Sequence, residues 1–118
     1  MITRILNEIE SCHYWDARLL KLDCNYFGDE ISLCFGDKNI EYEFHFIGCF
    51  EIGIKHDYQY SKKTLYRNLK IAQIPFFIQD IKLDEKEVLK EKYYEFLIDA
   101  YPLSLKIVCK QFEIKKTV

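Results

Sequence analysis

Three histidines, His13, His45 and His56, and five cysteines, Cys12, Cys24, Cys34, Cys49 and Cys109, are the side chains of this sequence best suited to metal binding or nucleophilic chemistry. A structural zinc site needs four such ligands at characteristic spacings. No CxxC or paired-His spacing occurs, and the adjacent Cys12 and His13 have no matching pair elsewhere. The pattern therefore predicts no metal and no cofactor. A Cys–His nucleophile needs only a thiol beside an imidazole, and Cys34 or Cys49 could meet His45 across neighbouring strands. The alternative is that strand cysteines serve as small buried hydrophobes.

Carboxylates could do acid–base work in pairs. Glu41 and Glu43 share one side of a strand, and Asp84 and Glu87 share a helical turn if that segment is helical. Exposed strand carboxylates more commonly form a solvated face. Gly48 and Gly53 stand five apart, but Ile54 and Lys55 follow where a phosphate loop needs Lys and then Ser or Thr. A basic face could form from Lys106, Lys110, Lys115 and Lys116 with Phe112, joined by Lys62, Lys63 and Arg67. With a pI near 5.9 and only three Arg, no nucleic-acid partner is expected. No motif in the chain specifies a reaction.

The elements that must position these groups read mainly as β. Nine Phe, nine Tyr and one Trp favour pleated, half-buried surfaces, and four Gly and two Pro leave no linker, so residues 1–118 read as one domain. The strongest signal is the run 40–46, where Ile40, Tyr42, Phe44 and Phe46 alternate with Glu41, Glu43 and His45. Ile2, Ile5, Leu6 and Ile9 predict a short amphipathic helix ending near Ser11. Leu20, Leu22, Cys24 and Tyr26 predict a first strand, Gly28-Asp29 a turn, and Ile31, Leu33 and Phe35 a second strand. A second turn over residues 36–39 leads into 40–46, which completes a three-strand meander. Gly48 marks a bulge or corner before Phe50, Ile52 and Ile54.

Further strands are expected over 77–83, 94–98 and 103–109, with Ser61 capping a short helix that carries Leu65 and Leu69. A charged or helical turn is expected at 84–90, and a bulge near Lys110 and Gln111 where Phe112 and Ile114 change parity. The fold class is α+β, mainly β: an antiparallel sheet of about seven strands curled into a sandwich or open barrel, with one or two short helices. Residues 107–114 are a candidate edge strand that could self-associate, residues 115–118 are expected to fray, and the oligomeric state stays open. The N-terminal segment lacks the apolar core of a secretory signal, and no apolar run is long enough to span a bilayer. The odd number of cysteines suits a reducing compartment, so a cytoplasmic protein without membrane partners is expected.

Charge is divided unevenly. Residues 1–60 hold five Lys or Arg against eleven Asp or Glu, and residues 61–118 hold twelve against eight. Unless the fold interleaves the two halves, one surface will be acidic and another basic. Residues 11–18, Ser-Cys-His-Tyr-Trp-Asp-Ala-Arg, form a loop whose aromatics and charges suit recognition. The plainer alternative is that Trp15 plugs the sheet while Asp16 pairs with Arg18 or caps backbone N–H groups.

The chain resembles small cytosolic immunity proteins of bacterial polymorphic-toxin systems and their poorly characterised relatives. The features that carry the likeness are the Trp15-Asp16-Ala17-Arg18 start, the Gly28-Asp29 hairpin, the Tyr-Glu-Phe-His-Phe strand at 42–46 and the Leu-Lys-Ile-Val-Cys-Lys-Gln-Phe-Glu-Ile strand at 105–114. The resemblance implies a non-enzymatic protein that binds a cognate toxin and blocks its active site, and it assigns no role to any single residue. For such a partner, acidic groups that mimic phosphate and aromatic anchors are the physical candidates: Trp15, Asp16, Glu41, Glu43, Glu51, Asp57 and Tyr58. Two other classes stay open. One is a small-ligand-binding β-barrel. The other is an enzyme built around His13, Asp16 and a neighbouring Cys or Glu.

Overall fold

Alternation of apolar and polar residues sends every second side chain to the same side of a strand, and burial follows that rule along the central strands. In the computed structural model, which describes residues 2–36, 39–57, 59 and 65–117, the order along the chain is as follows. Helix α1 (Ile2–Ser11) precedes β1 (Arg18–Asn25), β2 (Glu30–Gly36) and β3 (Glu41–His56), and then come β4 (Asp80–Val88), β5 (Glu91–Ala100) and β6 (Leu103–Thr117). The strands form one antiparallel sheet in the order β1-β2-β3-β6-β5-β4. The fold is mainly β, as composition and alternation predict, and the sheet stays open with β1 and β4 as its edges.

Ile31, Leu33 and Phe35 on β2, Phe44 and Phe46 on β3, Phe96 and Ile98 on β5 and Leu105 and Ile107 on β6 are all buried on one face. Phe44 meets Phe35 edge-on at 4.8 Å and Phe112 at 5.2 Å, and Phe96 meets Phe46 at 4.9 Å and Phe112 at 4.8 Å. These separations lie in the favourable range for aromatic pairs. The rings fill the concave face, which leaves no barrel interior. Helix α1 packs against β4 and adds Ile5 and Ile9, four apart, to the same core. Two residues past its end at Ser11, His13 has a φ of 49°, the left-handed conformation that often follows a helix C-terminus.

Several expectations are corrected. The segments on either side of Gly48 are one sixteen-residue strand, so six strands replace about seven. Gly48 keeps a positive φ of 68°, yet the chain does not turn a corner there; a register shift between Cys49 and Glu51 restores pairing with β6. A shift between Leu19 and Lys21 makes Leu19, not Leu20, the buried residue of β1, and Tyr26 falls in the turn. Phe77 makes only an isolated bridge to Arg18, and β4 begins at Asp80.

Residues 84–88 continue β4, and the turn is Leu89-Lys90, so Asp84 and Glu87 form no capping box and fall on opposite sides of a strand. Of residues 107–114, Ile107, Val108 and Cys109 lie between β3 and β5 and are no edge, whereas residues 110–114 pair, among the described residues, with β3 alone and keep an open side beyond the end of the β5 ladder. The pairing of β6 continues to Thr117, which holds the tail against β3. Leu65 and Leu69 flank a 3-10 turn at Tyr66–Asn68, and the Ser61 cap lies outside the described residues.

Two tight turns carry unusual backbone. Tyr26 and Phe27 have φ of 52° and 58°, and Leu89 and Lys90 have 52° and 68°. The left-handed conformation costs a non-glycine residue roughly 1–2 kcal/mol.

Phe44 is fully buried and touches rings on two sides, whereas Lys86 reaches Asp84 and Glu95 from a half-exposed position. Phe44→Ala is therefore expected to lower unfolding free energy by about 3–5 kcal/mol, and Lys86→Ala by less than about 1 kcal/mol. Urea denaturation of both variants beside the unmodified chain checks the contrast.

Candidate functional site

The loop joining α1 to β1 is held by backbone hydrogen bonds to a distant segment. Asp16 N–H donates to the Ile78 carbonyl at 2.8 Å, Ile78 N–H donates to Ala17 at 2.8 Å, and Leu19 N–H donates to Phe76 at 2.8 Å. Tyr14 is the residue that plugs the core, buried to 4% exposure, and Trp15 stacks on it at 4.2 Å while remaining 50% exposed. Left-handed backbone at His13 and at Asp16, φ 62°, brackets this Trp and turns it outward. Asp16 makes no ion pair with Arg18. The Arg18 guanidinium instead lies over the Phe77 ring at 4.9 Å, and its Nε is buried without a hydrogen-bond partner. Sequence spacing gave no signal of the Arg18–Phe77 contact, which depends on the 71–78 segment folding back along β1.

A cleft of about 1100 Å³ opens where this loop meets the β2–β3 connection and the 3-10 turn Ile71–Gln73. Its wall includes His13, Trp15, Asp16, Arg18, Glu41 and Tyr42. Three of the expected recognition residues, Trp15, Asp16 and Glu41, thus come together although β1 and β2 separate them in the chain. Neither Asp16 nor Glu41 forms an ion pair among the described residues. Glu43 lies one alternation further along β3, opposite Cys34 on β2 and Lys115 on β6. The proximity of Glu43 and Glu41, after burial, pushes the Cys34 thiol up.

The other expected residues lie elsewhere. Glu51 accepts from Lys106 Nζ at 2.8 Å on the far half of the exposed face. Asp57 is tied into the β5–β6 turn: its N–H donates to Pro102 O at 2.9 Å, and its carboxylate accepts from Tyr101 Oη at 2.5 Å and from Gln59 N–H at 2.9 Å. Tyr58 lies outside the described residues. On the exposed face His45 sits between Glu30 at 3.7 Å and Glu113 at 4.0 Å, with no hydrogen bond to Cys34 or Cys49. No group of three or more metal-ligating side chains occurs among the described residues. Phe112 is taken up by the core and Lys106 by Glu51 and Glu95, so the basic face considered above has lost its stacking ring and one cation.

The sheet order keeps the two halves of the chain apart, β1 to β3 on one side and β4 to β6 on the other. The first three strands carry five acidic against three basic residues, but the last three carry eight against seven. The basic excess of the second half thus belongs to Lys62, Lys63, Arg67 and Lys70 before β4.

A family model described as immunity protein PIM7 matches residues 1–116. A crystal structure of an uncharacterized protein from Neisseria gonorrhoeae is similar in fold, with a TM-score of 0.58 and 17% sequence identity, over 86% of this chain and 92% of that one. No curated protein matches the chain. No helix among the described residues is long and apolar enough to cross a membrane.

The thiols offer a direct check of the site chemistry. Burial pushes Cys49 up to about 11 and Cys109 up to about 12. At pH 8 that leaves roughly one thiol in a thousand ionised at Cys49 and one in ten thousand at Cys109. Cys24 is exposed. In native protein at pH 8, Ellman's reagent should titrate one fast thiol, lost in Cys24→Ser, with Cys49 and Cys109 reacting only in denaturant. A second fast thiol at Cys49 would restore the Cys–His nucleophile to consideration.

Proposed function

Since this chain belongs to the PIM7 family of immunity proteins, we propose that it binds a cognate bacterial toxin domain in the cytoplasm and neutralises it by occlusion rather than by catalysis. The observation that carries this reading is the cleft in which half-exposed Trp15 stands beside two carboxylates, Asp16 and Glu41, that make no ion pair among the described residues. Tryptophan on a rigid base is a common energetic anchor of protein interfaces, and the stack on buried Tyr14 supplies that base. Glu43 extends the acidic surface along β3. Acidic residues on this half of the sheet favour a basic partner and speed encounter at low salt.

Glu51 and Asp57 enter this proposal more weakly, since one is paired with Lys106 and the other braces a turn. Their charge contributes to the field without offering a free contact.

The test is a search of the genes adjoining this one for a secreted protein with a toxin-like C-terminal domain, co-purification of that domain with this chain, and stopped-flow kinetics of the pair. Charge reversal by Glu41→Lys with Glu43→Lys is expected to slow association by tenfold or more at low ionic strength, to have little effect at high salt and to leave circular dichroism unchanged. Trp15→Ala is expected to weaken the complex by about 2 kcal/mol, mainly through faster dissociation. Association kinetics unaltered by the double reversal at low salt would remove the acidic face from the interface.

A further inference from the structure

The β1–β2 hairpin ends in two adjacent aromatic residues that the free protein does not use. Tyr26 is 73% exposed and Phe27 is fully exposed, and neither ring makes a stacking contact or a hydrogen bond among the described residues. Both occupy left-handed backbone, φ 52° and 58°, in a turn where Asn or Gly would be unstrained. The tip is nevertheless rigid. Asp29 N–H donates to the Tyr26 carbonyl at 3.1 Å, Cys49 N–H on β3 donates to Asp29 O at 2.9 Å, and Gly28 packs so closely that a Cβ there would lie 3.3 Å from Ile52 Cδ1. Strain, high exposure and a fixed geometry fall on the same two residues. Folding alone gains nothing from that combination, and association with a partner does.

We propose that the Tyr26–Phe27 tip is a second contact element, a preformed aromatic plug that inserts into an apolar pocket with a basic rim on the toxin domain. The inference rests on the immunity reading above and extends it to a surface about 20 Å from the cleft along the β2 ladder, at roughly 3.3 Å per residue. Charge argues for the basic rim: Asp23, Asp29 and Glu30 flank the tip, and no Lys or Arg occurs between Lys21 and Lys38. Lys21 is engaged with Asp23 at 3.1 Å. The same acidic surround disfavours an anionic lipid surface, which attracts basic rather than acidic segments. The tip and the cleft lie at opposite ends of β1 and β2, and the face that carries Glu30 on β2 and Glu43 on β3 runs between them. A single toxin domain covering that stretch would meet an aromatic anchor at each end of an acidic strip.

The discriminating variant is Tyr26→Asn with Phe27→Gly, which gives the turn residues suited to its backbone. It should fold, melt at the same temperature or higher, and bind a recombinant candidate toxin domain, taken from a gene adjoining the one for this chain, at least tenfold more weakly, with the loss in the dissociation rate. Phe27→Tyr, which keeps a ring at the tip, should retain affinity within about threefold. Equal affinity of the double variant and the unmodified protein overturns the plug while leaving the immunity reading in place. Failure of the unmodified protein to bind that domain overturns both. Co-sedimentation of the unmodified protein with phosphatidylcholine–phosphatidylglycerol vesicles, lost in the double variant, overturns the protein-pocket assignment in favour of a membrane.

Discussion

Pairing of β3 with β6 runs from Glu41–Thr117 at one end to His56–Leu103 at the other, and each of these strands is longer than either neighbour outside it. The extra length determines the architecture. β2 occupies the first half of β3, from Glu41 to Ile47, whereas β5 occupies the part of β6 that faces the second half of β3. Two short wings therefore hang from a long central ladder, offset along it, and sheet twist folds them toward a shared concave face where Phe46 meets Phe96. The register irregularities at Gly48 and Phe50 sit where one wing gives way to the other. Such local breaks raise the twist of a strand pair, so the aromatic core depends on them as much as on hydrophobic content.

The same offset governs the surface. Since the wings do not overlap, the cleft forms at the open end of the β1–β2–β3 wing, walled by the α1–β1 loop and by the chain returning before β4. The far wing is covered on its exposed face by compensated charge: Lys106 bridges Glu51 and Glu95, and Lys86 joins Asp84 and Glu95. Exposed pairs of this kind add little stability, but they engage Asp84, Lys86, Glu95 and Lys106 within the sheet rather than leaving them for a partner. Edge strand β4, with Lys82, Asp84, Glu85, Lys86 and Glu87, is protected from further strand pairing by the same residues. Recognition groups and protective groups thus occupy different wings of one sheet.

Much of this was legible in the sequence wherever the controlling contact was local. Helix α1, the hairpin at Gly28-Asp29 and the buried face of residues 42–46 follow from spacing alone, because periodicity of two or near four reports burial directly. The corrections arise where a distant partner decides. Phe50 looks like the start of a new strand until pairing with β6 carries β3 through the bulge. The 107–114 segment reads as an edge throughout until β5 covers its first three residues, 107–109. Residues 84–88 have the charge pattern of a helix start, yet the ladder to β5 outweighs that preference. Trp15, Asp16 and Glu41 were each recognisable as recognition residues by type, but their meeting in one cleft depends on the register of Arg18 with Gly36, which no local pattern encodes.

The segregation of the two wings also bears on how the chain is made. β1, β2 and β3 emerge from the ribosome first and can form a meander, but the outer edge of β3, carrying Phe44 and Phe46 on one face, has no neighbour until β4 and β5 have been synthesised and β6 follows. A nascent sheet half with an unpaired aromatic strand invites pairing with another chain doing the same. The carboxylates that alternate with those rings give two such nascent edges the same charge, so that before they ever meet a partner Glu41 and Glu43 would keep unfinished copies of the protein apart.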